Sequence, residues 1–384
     1  MQIRPFEIHA PQADLDDLKE RLAWTRWPDE VEGAGWDYGT NLAYLRELVD
    51  YWRTKFDWRA QEQALNTLPH YLATIDGWDI HFIHVRGERP GSIPLVITHG
   101  WPSSFVEMLK LIPRLTEPSK YGGDAADAFD VVVPSLPSFG FSQRRTRRGP
   151  LKAHEAWAQL MTEGLGYRRF AAQGGDIGAG VTSSLGRFYP DRVIGIHISS
   201  VDLVWPSPLP DAAQLSEAEK DYLARVERWE KEEGAYSHIQ GTRPQTLAYG
   251  LNDSPAGLAA WIVEKWRAWS DCGGNVEASF TKDELLTNVT IYWITQTINS
   301  SIRAYYESQH NPNPNPLPLG QRIEVPTAVA MFPAEKELLV PRQFAERCYN
   351  IQRWTEMPRG GHFAALEQPE LLAQDIREFF RTLR

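Results

Sequence analysis

Apolar and polar positions near the N-terminus alternate with the spacing of helices and then of strands. Two groups of apolar side chains recur every three or four residues and predict two amphipathic helices: Leu15, Leu18 and Leu22, then Leu42, Leu45, Val49 and Trp52. Two short strands, at 71–75 and 80–83, flank Asp76-Gly77, a dipeptide typical of a hairpin turn. Residues 1–87 are therefore predicted to form an N-terminal region that leads into the first strands of a sheet.

The pattern changes after residue 87 to short apolar runs that alternate with helical segments. Continuous apolar runs of this kind are typical of buried parallel strands, and we expect strands at 94–98, 129–133, 170–173 and 193–198. A helix is predicted over 105–115, with Ser103 or Ser104 as its N-cap. Alternation of strands and helices indicates an α/β fold with a mostly parallel sheet.

Helical periodicity without strands begins after about residue 206. Helices are predicted at 215–236, 258–269 and 284–306, followed by a rigid Asn-Pro connector at 311–318. A buried strand at 327–332 and a final helix from Pro369 complete the sheet domain. The chain is thus divided into the N-terminal region 1–87, a first core segment 88–206, a helical cap 207–320 and a second core segment 321–384.

Composition and charge exclude several classes of function. The 384 residues include 40 basic and 50 acidic side chains, and this net charge of −10 disfavours nucleic acid or an anionic membrane as the main partner. The two cysteines, Cys272 and Cys348, lack metal-ligand spacing and cannot form a disulfide framework. No signal peptide, membrane anchor or bilayer-spanning run is evident, so we expect a cytoplasmic protein.

The most informative stretch is Gly-Gly-Asp-Ile-Gly at 174–178, between a predicted strand and a predicted helix. Small residues two positions before and after a central residue permit a sharp strand-to-helix turn that presents the central side chain above the sheet. That central residue is Asp176, where esterases and lipases have serine. The alternative is an ordinary glycine-rich turn in which Asp176 caps the helix.

Two further segments fit the same fold. The backbone N–H groups of Trp101, in the His-Gly-Trp-Pro segment at 99–102, and of Ile177 are predicted to form an oxyanion hole. His362 follows Gly-Gly late in the chain, where this fold delivers its catalytic base. The acid that orients it should follow the preceding core strand, and Glu335 is the candidate, with Glu337 as a rival.

These segments resemble the microsomal type of epoxide hydrolase, including its juvenile-hormone, fungal and bacterial relatives. The matching pieces also include 251–260 (LNDSPAGLAA), 285–289 (LLTNV) and 359–370 (RGGHFAALEQPE). The resemblance implies an α/β-hydrolase core with a cap, and a nucleophile at Asp176, a base at His362 and an acid at Glu335. It also implies two cap tyrosines that bind the epoxide oxygen, Tyr236 and Tyr305, although Tyr306 is adjacent to the second.

The resemblance implies an apolar epoxide and water as the partners of the protein. No metal or organic cofactor is implied, and a homodimer is expected. One alternative is a haloalkane or haloacetate dehalogenase, which shares the aspartate and histidine but often carries Trp directly after the nucleophile, where this chain has Ile177. Another is a non-catalytic binding protein of the hydrolase fold, which would normally have lost a member of the triad.

Overall fold

A nine-stranded sheet forms the centre of the protein in the computed structural model, which describes residues 1–146, 152–199, 206–311 and 316–384. Two further strands, β8 and β9, form a separate two-stranded parallel sheet. In chain order the strands are β1 (Gln2–Phe6), β2 (His70–Ile75), β3 (Trp78–Val85), β4 (Ile93–Thr98), β5 (Phe129–Pro134), β6 (Phe170–Gly174), β7 (Val193–Ser199), β8 (Pro206–Ser207), β9 (Leu317–Pro318), β10 (Ile323–Met331) and β11 (Tyr349–Glu356).

The large sheet has the strand order β1-β2-β3-β5-β4-β6-β7-β10-β11. Its six strands from β5 to β11 in this order are parallel, whereas β1, β2 and β3 add antiparallel strands at one edge. The turn between β2 and β3 has positive φ at Asp76 (50°) and Gly77 (79°), as a two-residue hairpin turn requires. The predicted α/β fold with a mostly parallel sheet is confirmed.

Helices cover the sheet and extend beyond it. They are α1 (Gln12–Ala23), α2 (Leu42–Thr54), α3 (Trp58–Leu65), α4 (Leu111–Thr116), α5 (Ala153–Gln159), α6 (Ile177–Phe188), α7 (Glu217–Glu232), α8 (Ala235–Thr242), α9 (Pro244–Leu251), α10 (Pro255–Trp269), α11 (Lys282–Thr295), α12 (Ile298–His310), α13 (Arg342–Ala345), α14 (Ala364–Glu367) and α15 (Pro369–Arg381). No helix among the described residues is both long enough and apolar enough to span a membrane.

Three of the predicted helices are divided in the structure. The helix expected at 284–306 is two helices, because Gln296 adopts a left-handed conformation (φ 52°) that ends α11 before α12 begins. The segment 105–115 is a 3₁₀ turn over Phe105–Met108 followed by α4, since Pro113 fits only the first turn of a new helix. The helix expected at 215–236 ends at Glu232, so Tyr236 lies on α8.

Helices α7 to α12 form the region predicted as the cap, and the N-terminal helices pack against it. Thr40 Oγ1 donates a hydrogen bond to the carbonyl of Ala260 in α10 (2.8 Å), and the Tyr51 hydroxyl donates to Asp283 in α11 (3.0 Å). The N-terminal region therefore supports both the sheet edge and the cap. Residues 312–315 of the predicted Asn-Pro connector lie outside the described residues.

A buried carboxylate joins the C-terminal helix to the strands that carry the second half of the core. Asp375 on α15 accepts hydrogen bonds from His197 on β7 (2.9 Å), Arg353 on β11 (2.7 Å) and Thr355 on β11 (2.6 Å). Burial alone would raise the pKa of Asp375, but these three donors lower it to about 2. The packing of α15 on the sheet thus depends on an ionised side chain that is 2% exposed.

We expect Asp375→Asn to lower the free energy of unfolding by about 3 kcal/mol, because the buried imidazole of His197 and the partly exposed guanidinium of Arg353 lose their acceptor. The pKa is lower in the folded than in the unfolded chain, so the contribution is complete above about pH 4 and is lost as the pH falls through about 2. Urea unfolding between pH 2 and pH 7 measures both effects. Glu378→Gln, which removes the half-exposed partner of Arg353, is the control and should cost less than about 1 kcal/mol; equal losses in the two variants would contradict the assignment.

Candidate active site

Asp176 lies at a strained turn between β6 and α6. Its backbone has φ 51° and ψ −131°, a conformation that L-residues rarely adopt. The turn is tight because Gly178, in the first turn of α6, lies so close to β4 that a Cβ there would overlap the carbonyl of Thr98. Close contact of α6 with the sheet therefore forces the turn, and the turn holds the Asp176 side chain at the end of β6.

Two backbone N–H groups face the Asp176 carboxylate. Trp101 N donates to Asp176 Oδ1 (2.8 Å), and the N–H of Ile177 donates to the same carboxylate. Gly100 allows this approach, because a Cβ at that position would overlap the Asp176 side chain. The two amides predicted to form an oxyanion hole are thus brought together on one carboxyl group.

His362 connects Asp176 to a second carboxylate. Its Nδ1 lies 2.7 Å from Glu335 Oε1, and its Nε2 lies 3.5 Å from Asp176 Oδ2. The loop that carries His362 is held from α10, since His362 N donates to the carbonyl of Trp269 (2.9 Å). The hydrogen bond from Ala334 N to the carbonyl of Gly360 (3.1 Å) links the base loop to the acid loop.

The charges of these groups stabilise one another. Burial by itself lowers the pKa of His362, but the neighbouring Glu335 and Asp176 carboxylates raise it well above its ordinary value. Burial by itself raises the pKa of Asp176, yet the hydrogen bond and charge of His362 and the two backbone N–H groups hold it below its ordinary value. These interactions favour an ionised Asp176 beside a protonated His362.

The structure distinguishes the two candidate acids by their positions. Glu335, 8% exposed, contacts His362. Glu337 instead forms a surface ion pair with Arg228 on α7 (2.7 Å). Both lie in the 3₁₀ segment Pro333–Leu338, which is kinked at Glu335 (φ −86°, ψ 40°). The two glutamate side chains therefore point in different directions.

The rings of Tyr236 and Tyr305 meet above Trp101. Tyr236, on α8, stacks on the Trp101 ring with centroids 5.4 Å apart and planes at 5°. Tyr305, on α12, makes an edge contact with the same indole (5.8 Å, 83°) and lies 6.0 Å from the Tyr236 ring. The residue that supplies an N–H to Asp176 thus also packs against both cap tyrosines.

The neighbouring Tyr306 has a different environment. Its ring stacks on His310 one helical turn further along α12, with centroids 3.8 Å apart. Adjacent residues on a helix point about 100° apart, so only one of the two tyrosines can face Trp101. Of the pair, the structure places Tyr305 beside Tyr236.

A cavity of about 2060 Å³ opens between the cap and the core. Asp176, His362, Glu335, Tyr236 and Tyr305 all contribute to its wall. Much of the remaining wall is apolar and includes Leu136, Val181, Phe188, Val226, Trp229 and Trp269. The site can therefore bind a large apolar molecule with a polar group directed at the carboxylate and the tyrosines.

Two buried charged residues at this site were not predicted from the sequence. Lys265 on α10 holds its ammonium group 5.0 Å from the Tyr236 ring centroid and forms an ion pair with Glu264 (2.5 Å). Glu107, in the 3₁₀ turn after Trp101, is 8% exposed and accepts a hydrogen bond from Ser103. The signal available for Glu107 was an acidic residue one helical turn from Ser103, among apolar neighbours.

Two models of known protein families match this chain. The family model described as "Epoxide hydrolase N terminus" matches residues 3–108, and the model of the alpha/beta hydrolase fold matches residues 93–236. The first match covers the N-terminal region together with the segment that carries Trp101 and Glu107. The second covers Asp176 and extends to Tyr236.

Proteins that match over the whole length of this chain are also named as epoxide hydrolases. A protein of Stigmatella aurantiaca, provisionally named an epoxide hydrolase, is 46% identical over 385 residues, which cover 100% of this chain and 86% of that protein. The crystal structure of juvenile hormone epoxide hydrolase from the silkworm Bombyx mori matches with a TM-score of 0.83 and 32% identity, covering 100% of this chain and 94% of that one. The structure of Aspergillus niger epoxide hydrolase matches with a TM-score of 0.86 and 30% identity, covering 100% and 97%. With the fold, the site and these similarities in agreement, this chain belongs to the epoxide hydrolase family.

Proposed function

We propose that this protein hydrolyses epoxides to vicinal diols, with Asp176 as a nucleophile that is esterified in each cycle. The observation that carries the proposal is the position of the Asp176 carboxylate, held by two backbone N–H groups and next to His362. A carboxylate suits this chemistry because its product with a ring carbon is an ester, which water can hydrolyse. A serine would form an ether, which has no such route.

The first step opens the epoxide ring. Asp176 attacks one ring carbon, the bond from that carbon to the ring oxygen breaks, and an alkyl-enzyme ester forms. The leaving oxygen would be an alkoxide, which needs a proton. Tyr236 and Tyr305, which line the cavity, donate hydrogen bonds to that oxygen, and one of them transfers the proton.

The second step follows from the loss of charge at Asp176. Once the carboxylate is an ester, one of the two anions that raise the pKa of His362 is gone, so the pKa falls and the imidazolium can release its proton, which restores the tyrosine that protonated the alkoxide. Neutral His362 takes a proton from a water that attacks the ester carbonyl carbon. The N–H groups of Trp101 and Ile177, already on this carboxyl group, stabilise the oxyanion.

Two observations favour an epoxide over a halogenated substrate. The residue after the nucleophile is Ile177, which offers no side-chain N–H to a halide. The two cap tyrosines converge on Trp101 from α8 and α12 and suit an oxygen that gains charge. An apolar epoxide and water are the partners that the large cavity supports; a homodimer and a cytoplasmic location stay predictions from the sequence.

A single turnover in ¹⁸O-labelled water should place the label in the protein. Water attacks the Asp176 carbonyl carbon, so the first diol released carries an unlabelled oxygen from Asp176. Excess enzyme is mixed with styrene oxide, and peptide mass spectrometry locates the isotope. Asp176→Asn should form no diol above background; label in the first diol instead of in Asp176 would contradict covalent catalysis.

His362→Gln should leave ester formation largely intact and slow ester hydrolysis by about 10³-fold, since the water loses its base. Intact-protein mass spectrometry after substrate addition should show the alkyl-enzyme adduct. Glu335→Gln should act on the same step, because it removes the partner of Nδ1. Glu337→Gln, which removes only a surface ion pair, is the control and should turn over normally; the reverse order of the two glutamine variants would identify Glu337 as the acid.

Tyr236→Phe and Tyr305→Phe should each slow the alkylation step by about 10-fold or more, and the double variant by more than either, because the alkoxide then lacks both donors. Rapid mixing, with the intrinsic tryptophan fluorescence of the protein as the signal, measures this step. Tyr306→Phe keeps the ring that stacks on His310 and serves as the matched control. Alkylation at the wild-type rate in the double variant would remove the tyrosines from the mechanism.

A further inference from the structure

A second, much smaller cavity adjoins the Asp176–His362 pair. Its volume is about 10 Å³, close to the space that one water molecule needs. Its wall is formed by Gly100, Trp101, Ser103, Glu107, Gly175, Asp176, His362 and Phe363. The nucleophile, the base and the two polar side chains of the Ser103–Glu107 pair therefore surround a space for a single water.

Glu107 is an unusual residue in this wall. The side chains around it in sequence, Phe105, Val106 and Met108, are buried and apolar. Ser103 Oγ donates a hydrogen bond to Glu107 Oε2, whereas Oε1 makes no hydrogen bond with any other residue in the described part of the chain. A carboxyl group in such surroundings is costly to bury without further partners, so its position beside a polar cavity needs an explanation.

The charged groups that act on Glu107 are those of the proposed mechanism. Burial raises the pKa of Glu107 to about 7, the hydrogen bond from Ser103 and the His362 cation lower it, and the Asp176 carboxylate raises it. Esterification of Asp176 removes the last of these effects. Because His362 becomes neutral at the same stage, its opposite effect on the pKa of Glu107 is lost as well, so the case for Glu107 depends on its position beside the cavity.

We propose that Glu107 positions the hydrolytic water of the second step, by accepting a hydrogen bond from a water molecule held in this cavity. The inference rests on the proposed function. The water oxygen bonds to the Asp176 carbonyl carbon, one of its protons passes to His362 Nε2, and its other hydrogen is held by Glu107 Oε1. The tetrahedral intermediate then releases the diol oxygen, which takes the proton from His362. The other water hydrogen, now on the Asp176 carboxyl group, passes to His362 Nε2, so that Asp176 is a carboxylate beside a protonated imidazole again.

Glu107 acts on this step in two ways. It restricts the water to one orientation before attack, which reduces the entropy that the reaction must lose. Its negative charge also stabilises the imidazolium that His362 becomes when it accepts the proton. Neither effect applies to ring opening, in which Asp176 attacks without any water.

Glu107→Gln tests the proposal, because glutamine keeps the size of the side chain and loses the charge. We expect ester hydrolysis to slow by about 10-fold or more, with alkylation changed less than about 3-fold. Hydrolysis then limits turnover, so kcat and KM should fall by the same factor while kcat/KM is retained, and the alkyl-enzyme should accumulate in intact-protein mass spectra. A purely structural role would not produce this pattern.

Glu62→Gln is the matched control, because Glu62 is a comparably buried glutamate (7% exposed) in α3 that lines neither cavity. It should change stability without changing the ratio of the two rates. Ser103→Ala leaves the carboxyl group in place but removes its donor, and it should slow hydrolysis selectively, to a smaller extent. Ser103→Ala decides the matter if the Glu107 variant does not fold.

The outcomes separate this inference from the function on which it rests. A wild-type enzyme that forms no adduct under any condition would overturn both. A wild-type adduct together with an unchanged hydrolysis rate in the folded variants would overturn the role of Glu107 alone. Equal slowing of both steps would also overturn it, since that result indicates a general distortion of the site.

Discussion

The carboxylate of Asp176 is buried, and it stays ionised only because the surrounding groups supply the interactions that water would otherwise provide. Two backbone N–H groups and the His362 cation lower its pKa against the effect of burial. This requirement explains the strained turn, because φ 51° at Asp176 directs the carboxylate to the amide of Trp101. It also explains the glycine at position 100, where any Cβ would occupy the space of the carboxylate.

The same charge links the two halves of the proposed cycle. While Asp176 is an anion it adds to the effect of Glu335 in raising the pKa of His362, and in the ester it no longer does so. In the proposed cycle a nucleophile and a base thus alternate through one electrostatic contact. Trp101 extends this coupling to the cap, since its N–H contacts Asp176 while its indole ring packs on Tyr236 and Tyr305.

Most of the fold could be predicted because its signals are local. Short apolar runs became the buried strands β4 to β7, and the Asp76-Gly77 pair became the hairpin turn, since only left-handed conformations fit it. The predictions that were wrong concern helix ends. Gln296 ends α11 inside a segment for which one continuous helix was predicted. Helix α12 then packs against α8, where Gly241 lies so close to α12 that a Cβ would overlap the Gln309 side chain. That constraint comes from packing, which helical periodicity does not encode.

The sequence by itself determined the family motifs, the turn that presents Asp176 and the late loop that carries His362, because each depends on glycines and spacing within a few residues. Only the tertiary structure decided which glutamate contacts His362 and which of two adjacent tyrosines joins Tyr236, since these choices depend on the direction of a side chain at a kink or on a helix face. The cavity beside Glu107 is likewise a feature that only the tertiary structure decided. Its walls come from three separate segments of the chain, and burial of a carboxyl group by distant residues leaves no pattern in the order of amino acids.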